Sequence, residues 1–538
     1  MAARLSDFYV EIKNPSQLYY DITPDIVSSI KYKYGIFGFD LSDRIADVGT
    51  MEFTLKNIDD KYSAWKSNVY NIGMSTVVWL EMEYEGDYFL RFSGHVGEIK
   101  YNNPIDGIPT IDIVVFDCMN DMINTTVPVI PIAFDKTSAS AIDLLLEKLP
   151  SSRAVSVRDT GTYETFPIVF DAESKNASIY SEIYKLIISE LGYVYVRHDG
   201  LNPELVVLEG IAARTNRELT TIPYVECLLL TELEDITTTE DGYELASDGG
   251  GTYIVNEMID ASVSFGKNIM TQVSLKGYPR RVDSGSVVLF ELDEPFEMIA
   301  SGSKAGVKVT YKDPYGAAAR VSGKDMIAPV RDTDYKMYQN EDGTGTDLST
   351  NLTVTTVDEN GDTAGFGAKG AIYKLVNTGV AGWVTKLQAR GYGVYTYNPL
   401  ETMINSASAI EMYGVSQVVL DQKYAVDLAS AEVYAGLILN REKTARMVLE
   451  NITMIANTTP DLMLRYLYHD VGDLIHVEYS DLGFSSVYFI HGIEAEIGLD
   501  HMITYTWTLL EDYLYTTNFF TLNHAVYGLL DSNNVLGF

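Results

Sequence analysis

The sequence predicts a mainly β fold with α+β content: two small β-barrels, an intercalated small α/β domain and an inserted β-sandwich. Three observations predict it. Period-two hydrophobic patterning dominates both ends of the chain. Helical periodicity is concentrated between 129 and 215. Residues 276–395 are rich in turn signals and poor in helix signals.

Residues 1–128 read as the first barrel. Met51, Phe53 and Leu55 alternate as one buried face, and Asn57 to Asp60 make a turn. Val77-Val-Trp-Leu-Glu-Met-Glu-Tyr84 is broken by Glu85-Gly-Asp87 and resumes at Tyr88-Phe-Leu-Arg-Phe92, a hairpin signature. Ile111 to Asp117 reads as a further, largely buried strand. Residues 129–215 read as the small α/β domain. Amphipathic helices are expected over 138–149 and 178–191, the second stopped by Gly192. Tyr193–Val196 and Leu205–Leu208 are strands joined through a turn at 199–203.

A β segment, 216–275, is expected to return the chain to the barrels, with a mobile loop at 241–251. Strands such as Val307–Tyr311 and Leu352–Val357, set between Gly, Asp and Asn turns, make 276–395 the inserted β-sandwich. From 396 to 512 a helix around 425–440 precedes strands ending at Tyr505–Leu510, and these form the second barrel. Residues 513–538 form an aromatic tail. Its stretch 518–527 is too apolar to stay in water and is expected to dock on a neighbouring subunit or another protein.

An internal echo ties the two ends together. Phe92-Ser-Gly94-His-Val-Gly-Glu98-Ile99 and Phe489-Ile-His-Gly492-Ile-Glu-Ala-Glu496-Ile497 share G-x-x-x-E-I, each followed by a long return strand and an acidic stop. The echo predicts a duplicated unit, so that three copies of the chain would make a ring of six similar barrels.

Composition narrows the function. The 538 residues allow several domains; hydrophobic residues at 46% and charged residues at 21% are ordinary for packed globular cores. Tyrosine is abundant, with 38 against 19 Phe, and suits half-buried strands and wet interfaces. A net charge of −36 repels phosphate backbones and argues against specific nucleic-acid binding. Cys118 and Cys227 lack metal-site spacing and read as buried thiols in a reducing compartment. The N-terminus shows no apolar signal core, and no apolar run has the length of a membrane span.

The search for chemistry yields no catalytic, cofactor or metal residues. H-E-x-x-H, G-x-x-x-x-G-K-[ST] and G-x-S-x-G are all absent. His469 and His476 lie near strands without a matching Cys or carboxylate pattern. Asp358–Asp362 and Glu341–Asp347 place oxygens around glycine turns, but neither completes a calcium loop. Gly391-Tyr-Gly393 reads as a turn or bulge. The expectation is a protein that is not an enzyme.

Asp43-Arg-Ile-Ala-Asp-Val-Gly-Thr-Met-Glu-Phe-Thr-Leu-Lys-Asn57, with Asp59-Asp-Lys-Tyr-Ser63 behind it, resembles the first barrel of the bacteriophage tail hub, or baseplate hub, family. The helical pair at 138–149 and 178–191 resembles the α/β domain between that family's two tail-tube-like barrels. Ala409–Gly414, the helix at 425–440 and Gly472–Glu478 resemble the approach to its second barrel, and Leu530–Phe538 resembles its tails. The segment 276–395 departs from a minimal hub. The resemblance implies a homotrimer in the virion, made in the host bacterial cytoplasm. It would join a sixfold tail tube or distal tail protein to distal tip, spike or fibre proteins, with the tape measure protein as a further partner. DNA would pass through an acidic lumen without sequence-specific binding. The alternative is a tail-associated adhesin that holds host-surface glycans through 276–395, with Trp383 and neighbouring Tyr residues stacking on sugars.

Overall fold

The computed structural model describes residues 6–13, 19–66, 69–127, 132–150, 153, 155–159, 165–170, 177–198, 204–210, 253–255, 257–267, 269–316, 320–357, 365–424, 428–479, 484–511, 519–520 and 535–536. Cys227, the loop at 241–251 and the turn at 358–362 lie outside these residues, as does most of the tail from 513. The described part is mostly β, as the patterning predicts.

Among the described residues one thirteen-stranded sheet organises the fold, and it contains the same six-strand unit twice. In the first unit the strands are Asp7–Lys13, Ile30–Gly35, Asp47–Lys56, Val77–Tyr84, Asp87–Asn102 and Thr110–Phe116. Their order across the sheet is second, third, sixth, fifth, fourth, first. In the second unit they are Tyr253–Val255, Asp260–Phe265, Met447–Ile455, Leu474–Tyr479, Phe484–Ile497 and Ile503–Glu511, in the same spatial order. The units differ in the outermost pair: first and fourth strands are antiparallel in the first unit and parallel in the second.

Local chemistry repeats with the topology. The fourth and fifth strands of the first unit join through a two-residue turn, Glu85 at φ 54° and Gly86 at φ 93°, whose twist matches the flanking strands. Thr54 donates to Asp112 across the third and sixth strands at 2.9 Å, and Thr453 bonds Thr506 at the matching place at 2.8 Å. Val27 N donates to Thr54 O at 2.9 Å, and Ile259 N to Thr453 O at 2.8 Å. In the first unit Ile22 N also donates to Val10 O at 2.9 Å, so the segment 22–27 links first and third strands and closes the sheet towards a barrel. Alternating inward residues such as Val10, Tyr32, Phe53, Leu80 and Val115 fill the core.

The sequence echo that suggested duplication is out of register. Each fifth strand carries a bulge against its sixth, between Val96 and Glu98 in one unit and between Ile490 and Gly492 in the other. Glu98 therefore matches Gly492, whereas the shared motif pairs Gly94 with Gly492 and is displaced by four residues. The repeat resides in strand order and bulge position, which short motifs do not encode.

The α/β domain follows the first unit. Helix Ser138–Leu146 is capped by Thr137, and helix Ile179–Glu190 by Ser178. The second helix stops one residue before the expected Gly192: Leu191 itself takes the left-handed conformation, at φ 59°, with its side chain buried. Strand Leu205–Glu209 pairs with Tyr193–Arg197 antiparallel and with Ser156–Asp159 parallel.

The boundaries of the later segments differ from the sequence reading. The second unit begins within 216–275 and is interrupted between its second and third strands. The interruption opens with a three-stranded sheet, Leu400–Asn405, Gln272–Gly277 and Gln417–Asp421, against which helix Leu428–Glu442 packs. Residues 400–442 thus stand outside the second barrel, although the pattern had placed its start at 396. Nested within that sheet is the β-sandwich. Strand Gly382–Thr396 gathers five partners, and Ser303–Thr310, Gly370–Asn377 and Leu352–Val357 form the facing sheet. Val384 and Leu387 from one sheet and Val354, Tyr373 and Leu375 from the other share one core.

Candidate functional site

The feature with most consequence is the seam between the two units. The second strand of the first unit, Ile30–Gly35, pairs antiparallel with residues 492–497 of the second unit's fifth strand, in register from Ile30 opposite Ile497 to Gly35 opposite Gly492. The same fifth strand pairs earlier, over 484–489, with its own fourth strand. The bulge at His491 is where it changes partner.

Side chains specify this register. On the outer face Lys31 stands opposite Glu496, with Nζ at 3.4 Å from the carboxylate, and Lys33 opposite Glu494. Both lysine–glutamate pairs face water, so they discriminate register more than they stabilise it. On the inner face Ile30, Tyr32 and Tyr34 meet Ile493, Ala495 and Ile497, all buried. Gly35 has φ 111°, and a Cβ there would lie 2.5 Å from His491 O, so the strands approach too closely for a side chain.

Behind the seam a buried polar cluster ties three bodies together. Arg91 of the first unit is 3% exposed. It donates to the carbonyls of Leu467 at 2.9 Å and His469 at 3.4 Å, and stacks over Tyr466 at 4.8 Å. Arg197 of the α/β domain donates to Asp473 at 3.0 Å and lies 3.5 Å from Asp470. Burial pushes the Asp473 carboxyl up, but Arg197 and then the His469 ring outweigh it and hold the group at about 2. Tyr32 and Tyr466 share a hydroxyl contact of 2.6 Å across the units. Ser93 N donates to His198 Nδ1 at 3.2 Å. These groups fix the relative placement of the three bodies, because a displaced partner would leave a buried charge uncompensated.

A second buried cluster lies where the sixth strand of the first unit ends. Asp117 caps helix Cys118–Asn124 by accepting from Met119 N, and burial pushes its carboxyl up to about 7. Glu204 is pushed up to about 8 by burial and then by Asp117, while burial and Arg153 hold His95 down at about 4.

The residues weighed from sequence stay apart. His469 faces Asp473 at 3.4 Å, while His476 bonds Ser485 at 3.2 Å. Among the described residues no group of three or more His, Cys, Asp or Glu is placed to hold a metal ion. In the 341–347 loop Asp342 accepts from Thr344 N at 3.0 Å and Thr344 Oγ1 at 2.6 Å, so the carboxylate closes its own turn. Trp383 is half-buried, opposite Glu297 and Tyr338 in its sheet. Cys118 is buried, and burial pushes its thiol well up. No helix among the described residues is long and apolar enough to cross a membrane. Sequence reasoning missed the Arg91–Arg197–Asp473 cluster. Its signal was a charged residue in an apolar run, Leu90-Arg91-Phe92, whose partners lie hundreds of residues away.

Fold and seam together define a class: a duplicated β-barrel protein whose two units join edge to edge. No family model and no curated protein matches the chain. Among solved structures it is similar to the 43 kDa tail protein of prophage MuSo2 from Shewanella oneidensis, at 9% identity and TM-score 0.46, covering 94% of this chain and 100% of that one. It is similar to a tail protein of Neisseria meningitidis MC58, at 9% identity and TM-score 0.45, covering 95% and 98%. A third is a prophage tail protein of Listeria monocytogenes EGD-e, at 9% identity and TM-score 0.39, covering 94% and 96%. At these identities and TM-scores the likeness alone assigns neither family nor function.

Proposed function

We propose that this chain is a structural virion protein, not an enzyme: the trimeric hub of a phage tail tip or baseplate. The observation that carries the reading is the duplicated six-strand unit joined edge to edge within one chain. Two similar barrels per chain let three chains present six similar faces, which adapts a threefold assembly to a sixfold tube. The hub would join the tail tube to distal tip, spike or fibre proteins and contact the tape measure protein. The charge of −36 suits a wall along which DNA slides without adhering. The Asp43–Asn57 stretch, which resembles the family's first barrel, supplies the core-facing third strand here.

Electron microscopy of particles containing the chain tests this reading. Three copies in a ring at the end of a sixfold tube are expected. Another stoichiometry, or a position at a fibre tip, would overturn it. Removing 276–395 separates the adhesin role: lost adsorption with intact tails would assign glycan binding to the sandwich.

A further inference from the structure

The internal seam supplies a pattern for joining one copy of the chain to the next. This inference rests on the ring proposed above and names the strands that close it. Each unit has a second strand and a fifth strand, but the seam uses only one of each: the second strand of the first unit and the fifth strand of the second. Among the described residues, Asp260–Phe265, the second strand of the second unit, pairs on one side alone, with Met447–Ile455. Residues 98–102 of the first unit's fifth strand likewise pair on one side alone, with the sixth strand. A single chain therefore ends in two complementary edges of the kind that, inside it, are joined.

The equivalence extends to individual residues. Lys31 pairs with Glu52, and Ser262 with Asn451, at matching points of the third strands. Counting along the strands past the Ser262/Val263 bulge, Tyr32 matches Val263, Tyr34 matches Phe265 and Gly35 matches Gly266. Both glycines have positive φ, 111° and 69°. Exposure differs sharply. Tyr34, at the seam and packed against Phe92 and His198, is 1% exposed, whereas Phe265 is 72% exposed. Its register partner Met447 is 47% exposed, and Ile259, before the other end of the strand, is 60% exposed. A Cβ on Gly35 would strike the facing strand, whereas a Cβ on Gly266 finds nothing closer than 3.6 Å. Among the described residues the second unit thus keeps the backbone and apolar side chain of a seam but lacks the facing strand. Unpaired, apolar strand edges are templates for pairing with another chain.

We propose that residues 262–266 of one copy pair antiparallel with residues 98–102 of the next copy, in the register of the internal seam. Phe265 then stands opposite Ile99 and Val263 opposite Tyr101 on the inner face. Ser264 stands opposite Lys100 and Ser262 opposite Asn102 on the outer face. No like charges oppose each other in this register. The contact is head-to-tail, so repetition closes a ring in which every junction between units, within and between chains, is of one kind.

Disulfide trapping tests the register. Asn102→Cys with Ser262→Cys, in a full-length chain carrying Cys118→Ser and Cys227→Ser, places two thiols directly opposite across the junction. Oxidised assembled particles are expected to yield a three-chain species that reductant dissolves. Tyr101→Cys with Ser262→Cys, whose side chains fall on opposite faces, is expected to yield none. A three-copy ring seen by microscopy without the 102–262 cross-link would overturn this pairing and leave the hub reading standing. Absence of any ring in the unmodified protein would overturn both. Phe265→Asp supplies a second arm. The chain is expected to unfold at an unchanged temperature yet form no rings, and normal rings from this variant would overturn the pairing.

Discussion

Replacing Gly35 and Gly266 separately by alanine turns the duplication into an internal control. At Gly35 the backbone lies at φ 111°, where an L-residue costs roughly 1–3 kcal/mol. The new Cβ would also sit 2.5 Å from His491 O and 2.7 Å from the Cα of Gly492, both backbone atoms. One strand must move, at a further cost of roughly 1–3 kcal/mol by analogy with overpacked cores. The total for Gly35→Ala is about 2–6 kcal/mol. At Gly266 the φ of 69° costs an alanine about 1 kcal/mol, and its nearest neighbours, at 3.6 and 3.7 Å, are ordinary contacts. In the isolated chain Gly266→Ala is therefore the milder change. Hydrogen exchange read at residues 30–36 and 492–497 reports the seam directly, and thermal unfolding reports the whole chain. Gly35→Ala is expected to accelerate exchange across the seam; Gly266→Ala is expected to leave it unchanged. Equal, small effects in both variants would refute the claim that close strand approach excludes a side chain at Gly35.

Two further outcomes follow from the buried charges. Asp117 and Glu204 have folded pKa values of about 7 and about 8, above their ordinary values of 3.8 and 4.5. The stability they contribute is thus present in acid and lost as pH rises through that window. Asp117→Asn is expected to flatten the fall in urea stability between about pH 5 and 7, by up to about 1.4 kcal/mol per pH unit; an unaltered slope would count against a protonated Asp117. Arg197→Met leaves Asp473 and Asp470 buried without that cation. A loss of about 3–5 kcal/mol is expected in denaturant unfolding. A loss within about 0.5 kcal/mol would show that the cluster does not hold the three bodies together.

The patterning made the elements legible because strands and helices are local. Met51, Phe53 and Leu55 alternate in sequence and are buried in the structure, since side chains on a strand repeat every two residues. The turn at Glu85-Gly86 and the capped helices at Ser138 and Ile179 were legible for the same reason. The helix end at Leu191 was not. A left-handed residue other than glycine is tolerated there because its side chain is buried and its carbonyl is bonded by Arg44. The polar cluster was also hidden, since Arg91 and its acceptors at 467 and 469 are neighbours only after the chain has folded.

By itself, then, the sequence determined a mainly β chain, an α/β interlude, a β-sandwich insert and a strongly acidic balance, each set by composition or by periods of a few residues. Tertiary structure alone decided which strands meet. Many alternating strands are interchangeable as partners, and a pairing such as Ile30 with Ile497 is selected by closure of the whole sheet. For that reason the interrupted second unit, the register of the repeat and the two edges left unpaired among the described residues came into view only with the sheet order.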